Sequence, residues 1–322
     1  MSIYPLKLTA PLKDYIWGGT KLKDEYGKHS DLEKVAEAWQ LSCHKDGSSI
    51  IANGEYAGKS LPELIEEKGR GILGADCARF DNFPILIKLI DAKDNLSVQV
   101  HPKNEYALRV EGEYGKTEMW YIVDCEPGAS LLYGFDHSIE KAEFEERIRN
   151  NTLLEVTNRV EVHKGDVFFI EAGTLHAIGS GILIAEIQQN SNTTYRIYDY
   201  GRIGNDGKPR PLHVDKALDV TELKRPTRPT RPEGDPVAQD GYTSTLLSSC
   251  EYFTVHALEV DGTAALKADA SSFHSLMCLE GNISLKSSHG DLEISKGDSV
   301  FLEADYGDYR LEGKGSIILT TV

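Results

Sequence analysis

Short apolar segments, each cut off by Gly, Asp or Asn, constrain this chain more than any other feature. Phe83–Ile90, Leu96–Val100, Met119–Val123, Val167–Ile170, Ile182–Ile187, Phe253–Leu258, Ser299–Leu302 and Ser316–Thr320 all have this form. Brief runs bounded by turn formers are strands, and many of them along one chain predict a β-sandwich or barrel. Helical signals are fewer. Ser60-Leu61-Pro62-Glu63 caps a helix to about Lys68. Asn104–Val110, Ser138–Asn150 and Leu212–Val220 are further helices, and Ile139, Phe144 and Ile148 share one side of the third. The expected class is all-β with a few helices.

An internal echo refines that expectation. Lys164-Gly165-Asp166-Val167-Phe168-Phe169-Ile170-Glu171-Ala172 returns 132 positions later as Lys296-Gly297-Asp298-Ser299-Val300-Phe301-Leu302-Glu303-Ala304. In both copies the Gly-Asp pair is a turn feeding a buried strand. Between them, Arg225–Pro236 holds four prolines in twelve residues, which neither a helix nor a central strand tolerates. Two β lobes follow: an N-terminal domain over 1–225 with helical insertions, a Pro-rich linker over 226–236, and a C-terminal lobe over 237–322.

The clearest chemistry lies in the first lobe. Gln99, His101, Glu118 and His176 occur in Leu96-Ser97-Val98-Gln99-Val100-His101-Pro102, Gly115-Lys116-Thr117-Glu118-Met119-Trp120 and Gly173-Thr174-Leu175-His176-Ala177. Two imidazoles, a carboxylate and an amide are donors that a divalent metal accepts. If Ser97 to His101 is a strand, Ser97, Gln99 and His101 share one face and Val98 and Val100 the other. Lys116 and Glu118 likewise share a face, with Met119 and Tyr121 opposite. A histidine followed by proline is, taken singly, more often structural than a ligand; the set is what points to a metal. Sliding by the repeat offset sets Asp308 opposite His176, and nothing like Gln-x-His precedes the second copy, so the second lobe is expected to lack metal ligands.

Charge and cysteines narrow the function further. A net charge of −16 leaves no basic surplus for phosphate backbones, which excludes a general nucleic-acid binder. The five cysteines (Cys43, Cys77, Cys125, Cys250 and Cys278) form no CxxC and read as buried or free thiols of a reducing compartment. The N-terminus has no signal-peptide pattern and no apolar run reaches the roughly 20 residues of a membrane span. The cytoplasm is the expected location, with no membrane partner; oligomeric state is unreadable.

Gly-Asp-x₄-Glu-Ala-Gly-Thr-x-His, following a strand that bears Glu118, resembles a cupin double-stranded β-helix, or jelly roll. Gln99-Val-His101-Pro102, Lys116-x-Glu118-Met119, Gly173-Thr-Leu-His176-Ala-x-Gly179, Gln188-Gln-Asn-Ser-Asn-Thr-Thr-Tyr-Arg196 and Ile16-Trp17-Gly18-Gly19 are similar to the zinc-dependent type I mannose-6-phosphate isomerases, in their short bacterial two-cupin branch. The resemblance covers about residues 3 to 220 well and the C-terminal lobe loosely. It implies two cupin lobes, one Zn²⁺ per chain held by Gln99, His101, Glu118 and His176, and a sugar-phosphate substrate. It places Ser97, Lys116 and Arg196 in the substrate pocket, Arg196 and Lys116 as catalytic residues, Glu186 at a pocket position and Trp17 in the pocket wall. Lys103 departs from the family, where many relatives carry an acid after His-Pro.

The implied reaction interconverts mannose 6-phosphate and fructose 6-phosphate through an enediolate-like intermediate, whose oxygens a Lewis acid stabilises. With Glu118 as sole anionic ligand, the site keeps a formal charge of about +1, and a neutral Gln99 leaves the metal electrophilic. Arg196 suits bidentate contact with phosphate or enediolate oxygen. Glu186, Lys116 and a metal-bound hydroxide are alternative proton-transfer bases. Two other functions compete: a non-catalytic sugar-phosphate-binding regulatory cupin, and an iron-dependent cupin oxygenase. Lys116 and Arg196 beside the four donors speak against the first. The donor set, with its single pair of histidines, speaks against the second.

Overall fold

The computed structural model describes residues 2–204 and 207–322; Met1, Asn205 and Asp206 lie outside the described residues. The first lobe is two antiparallel sheets face to face. One has six strands in the order Val167–Ile170, Glu118–Cys125, Ile182–Gln189, Ile85–Ala92, Glu37–Leu41 and Leu12–Lys13. The other has five, in the order Thr157–Glu161, Ser130–Phe135, His176–Ala177, Val98–Val100 and Tyr195–Tyr198. Ile90, Trp120, Ile122, Phe168, Ile170 and Ile184 of the first meet Leu131 and Tyr133 of the second in one apolar cluster. This is the expected jelly roll.

Burial explains why several strands read as unbroken apolar runs. Every residue of Ile85–Ala92 and of Ile182–Gln189 is buried, because the six-stranded sheet is covered on both faces. Its inner face lines the barrel. From its outer face Leu89, Met119, Phe169, Ala185 and Ile187 pack against Val255, Phe273, Met277, Phe301 and Ile318 of the C-terminal lobe. The five-stranded sheet is backed instead by helices Lys141–Arg149 and Val214–Val220, whose Phe144 and Ala217 pack with Val98, Val100 and Ile197.

The helix from Leu61 to Lys68 is opened by Ser60 and Glu63 in a reciprocal capping box, and Asn104–Val110 is helical over its expected span. The helix expected from Ser138 begins at Lys141, because the Ile139 N–H donates to the Leu223 carbonyl and holds the entry extended. The one expected from Leu212 begins at Val214, because the His213 N–H donates to the Arg196 carbonyl.

The two copies of the repeat adopt one local structure. Gly165 and Gly297 have φ of 94° and 89°, open to glycine alone without strain. Asp166 accepts from the His163 N–H and Asp298 from the Ser295 N–H, each at 2.8 Å. The strands that follow, Val167–Ile170 and Ser299–Leu302, are wholly buried. The C-terminal sheet curls around Leu258, Leu276, Cys278, Val300, Leu311 and Ile317. It also admits the start of the chain: Leu6–Thr9 pairs antiparallel with Ser299–Leu302, Leu6 opposite Phe301. Lys68 and Glu303, each 5% exposed, make an ion pair across the lobes. No helix or strand lies in the Pro-rich segment between Val220 and Val237.

Candidate metal centre

Three local features bring the donors together. Gln99 is the middle residue of Val98–Val100, between His176 on one neighbouring strand and Arg196 on the other. Its side chain faces the barrel while Val98 and Val100 face the helices, the alternation expected from the sequence. His101 follows at the strand end, and its carbonyl accepts from the Gly173 N–H at 2.8 Å. Glu118 opens its strand opposite Gln188 and Ile170. The turn before it runs close to the His101-Pro102 segment: a Cβ on Gly115 would lie 2.6 Å from backbone atoms of Lys103 and Asn104, so only glycine fits.

The resulting group is His101, Glu118 and His176, with donor atoms all within 4.8 Å of one another and side chains no more than 1% exposed. The His101 Nδ1–H donates to the Thr193 carbonyl at 2.9 Å and the His176 Nδ1–H to the Thr174 carbonyl at 2.8 Å. Burial, with Lys116 nearby, lowers the pKa of both imidazoles, His176 to about 4, so both are neutral at pH 7. Each Nε2 therefore carries a lone pair, and the two nitrogens are 3.1 Å apart. Two lone pairs at that distance repel one another, and the Glu118 carboxylate sits 3.5 Å from one and 3.7 Å from the other. A divalent cation satisfies all three at once. The Gln99 Nε2 lies 3.4 Å from the His176 Nε2, and its Oε1 lies 3.5 Å from Ser97 Oγ. A half-turn of that amide presents the oxygen instead.

Around this group runs a chain of buried charge. Lys116 Nζ lies 2.7 Å from Glu118, 3.2 Å from His101 Nε2 and 3.7 Å from Glu186. Lys88 Nζ lies 3.0 Å from Glu186 and 3.6 Å from Glu37. The Trp120 Nε1–H donates to Glu186 at 2.9 Å, and the Trp39 Nε1–H to Glu37 at 2.7 Å. Burial and then the Glu186 charge push Glu118 above the usual carboxylate range. Against the upward push of burial, Lys116 and Lys88 hold Glu186 below it. Three carboxylates and two ammoniums leave the cluster one negative charge in excess, which a divalent cation turns into one positive charge.

The cluster opens into a cavity of about 260 Å³, close to the lower limit of small-ligand pockets at about 300 Å³. Trp17, Ser97, Gln99, Lys116, Glu186 and Arg196 line it, with His101, Glu118 and His176 directly behind. All nine residues singled out from the sequence therefore converge here. Arg196 donates through Nη1 to the Pro211 carbonyl at 3.0 Å, and its buried Nε has no partner. Trp17 is 4% exposed and packs its ring 5.6 Å from that of Tyr15, as wall. Lys103 lies outside this cavity and pairs with Glu222 at 2.7 Å on the surface. A larger cavity of about 750 Å³, between the lobes, takes Lys103, Glu222, Arg225 and Arg228 into its wall. Its four basic and four acidic side chains balance, and none of the nine residues lines it.

Lys88, Glu37, Tyr15 and Arg210 also line the smaller cavity and escaped the sequence reading. Lys88 did leave a signal: it is a lone charge inside Ile85-Leu86-Ile87-Lys88-Leu89-Ile90, and a charge in a buried strand needs a buried partner. Arg210 left none, being held to Asp199 by contacts that only the fold creates.

The model of the phosphomannose isomerase type I catalytic domain matches residues 5–121, and that of the mannose-6-phosphate isomerase cupin domain matches residues 242–322. A relative from Bacillus subtilis (strain 168), mannose-6-phosphate isomerase ManA, is 39% identical over 325 residues, covering 99% of this chain and 99% of its own. This chain belongs to the type I mannose-6-phosphate isomerase family. The mannose-6-phosphate isomerase of Streptococcus mutans is 36% identical over 98% of this chain and 97% of its own. The crystal structure of the mannose 6-phosphate isomerase from Bacillus subtilis superposes with a TM-score of 0.92 at 36% identity, covering 99% of this chain and 100% of that one. The two-cupin architecture and the family expected from the motifs are thus borne out. Among the described residues, no helix is long and apolar enough to cross a membrane.

Proposed function

We propose that this chain is a cytoplasmic, zinc-dependent isomerase that interconverts mannose 6-phosphate and fructose 6-phosphate. The observation that carries the metal is the pair of neutral imidazoles whose Nε2 atoms meet 3.1 Å apart beside the buried Glu118 carboxylate. His101, His176 and Glu118 would hold Zn²⁺, with the Gln99 amide oxygen as fourth donor. The bound cation would supply positive charge beside the two oxygens of an enediolate. The family supplies the reaction. The cytoplasmic reading rests on five cysteines that are all free.

The chain's own groups have distinct tasks. Arg196, with an unpartnered buried N–H at the cavity, binds the anionic end of the substrate, and Arg210 adds charge beside it. Ser97 and Trp17 close the wall. Moving a hydrogen between C1 and C2 requires a group that takes a proton from one carbon and returns it to the other. Glu186 is held ionised by Lys88 and Lys116, so it is in the proton-accepting form. Lys116, 3.7 Å away, donates to the substrate oxygen as charge develops there. The Trp120 N–H on one Glu186 oxygen and Lys88 on the other hold the carboxylate in a single orientation.

The test is coupled detection of fructose 6-phosphate from mannose 6-phosphate by protein stripped with a chelator, then restored with Zn²⁺. Turnover is expected to fall by more than about 10³-fold on stripping and to return with zinc. A folded, fully stripped sample that turns over at the original rate would overturn the reading.

A further inference from the structure

Residues 190–194 have no helix or strand, yet the site depends on them twice. Asn192 and Thr194 form part of the cavity wall, and the Thr193 carbonyl accepts the His101 Nδ1–H. Backbone without ladder hydrogen bonds is held by the side chains that reach it. From inside the barrel, the Gln188 amide donates to the carbonyls of Gln189 and Ser191 at 2.7 and 2.6 Å. From the other side comes Glu113, which lies between helix Asn104–Val110 and strand Glu118–Cys125. Its Oε2 accepts from the Asn192 N–H and from the Thr193 hydroxyl, each at 3.3 Å.

Glu113 is itself anchored. Lys45 Nζ lies 2.5 Å from its Oε1, and His44 Nε2 lies 3.6 Å from its Oε2. The same hairpin reaches the segment directly, since Asp46 accepts from the Asn192 side-chain amide at 2.8 Å. Two carboxylates, Glu113 and Asp46, thus tie the Cys43–Ser48 hairpin to the stretch of backbone that orients a metal-binding imidazole, and Glu113 is the one that reaches Thr193.

We propose that Glu113 is a positioning residue for His101, acting through Thr193. The inference rests on the metal reading of His101, Glu118 and His176. An Nδ1–H bound to a carbonyl keeps the proton off Nε2 and sets the direction in which Nε2 points. A Thr193 carbonyl free to drift lets the ring rotate, and the metal then meets two well-aimed donors instead of three. If Glu113 served only as a surface partner for Lys45, its loss would leave metal affinity untouched.

The experiment measures Zn²⁺ affinity of the full chain by competition with a chromophoric chelator, without substrate. Glu113→Ala is expected to weaken zinc binding about tenfold. Glu113→Gln keeps an oxygen for both donors and is expected to stay within about threefold of the original protein. Lys45→Met, which removes only the ion pair, is expected to stay within about twofold. Thr193→Val keeps the carbonyl and deletes the hydroxyl contact, so it is expected to weaken binding about threefold, which serves if Glu113→Ala fails to fold. Unchanged affinity in Glu113→Ala, or in Thr193→Val where Glu113→Ala is unfolded, overturns the inference alone. A Lys45→Met loss equal to that of Glu113→Ala also overturns it, in favour of surface charge. An unmodified protein that binds no zinc overturns the metal reading and this inference together.

Discussion

The two lobes share a turn, a buried strand and a barrel shape, and differ in what the barrel contains. In the N-terminal lobe, Lys88, Lys116, Glu118, Glu186, His101 and His176 are all buried. In the C-terminal lobe the corresponding interior is filled by Leu276, Cys278, Val300, Leu302, Ile317 and Leu319. Asp308, which the repeat sets opposite His176, is exposed on Gly307–Thr321. Burying a charge is costly unless partners surround it. The first lobe accepts that cost where a ligand binds, and the second avoids it by close packing. The frame and the chemistry are therefore separable.

Separable chemistry does not mean independent folding, and this gives the largest expected effect. Phe301 is fully buried in the core shared by both lobes, its ring 5.1 Å from that of Phe273. Phe301→Ala is expected to cost about 3–5 kcal/mol in urea unfolding, with both lobes melting in one transition. Separate transitions, read by near-UV and far-UV dichroism, would contradict a common core. Next comes the neutrality of Gln99. Gln99→Glu adds a second anionic donor, and turnover with saturating zinc is expected to drop about 10²-fold while zinc binds at least as tightly. Unchanged turnover would show that the amide is dispensable.

A smaller effect concerns His274 in the second lobe, whose Nδ1 lies 2.8 Å from the Tyr309 hydroxyl. Burial lowers its pKa to about 4, below the unfolded value of about 6.5. Between those values the unfolded chain binds the extra proton, so stability is intact above pH 6.5 and lost as pH falls toward 4. The contribution is at most about 1.4 kcal/mol per pH unit. Urea unfolding at pH 5 and 7 is expected to show a smaller pH dependence in His274→Gln than in the original protein. The smallest effect tests the comparison itself: Asp308→His is expected to leave metal stoichiometry unchanged by elemental analysis, since one exposed imidazole over an apolar interior makes no site. A second bound zinc would mean that the second lobe is one residue short of a site.

Much of this was legible in the chain. Ser60 and Glu63 marked their helix because capping acts within four residues. Gln99 was assigned its face from strand alternation alone, which is a local property. The Gly-Asp echo marked both turns because positive φ singles out glycine. By contrast, the pairing of Leu6 with Phe301 spans nearly the whole chain, and no local pattern encodes such a register. Lys88 went unread, because its partners Glu37 and Glu186 come within reach only on the adjoining strands.

The sequence by itself determined the donor types, their order and the β class that holds them, because side-chain chemistry and periodicity are written residue by residue. Only the tertiary structure decided that two imidazoles would turn their Nε2 atoms toward one carboxylate. That outcome depends on which carbonyls, Thr193 and Thr174, stand behind the rings. Backbone placement of that kind follows from packing between strands distant in the chain, where the direction of a hydrogen bond is set by geometry and not by residue type.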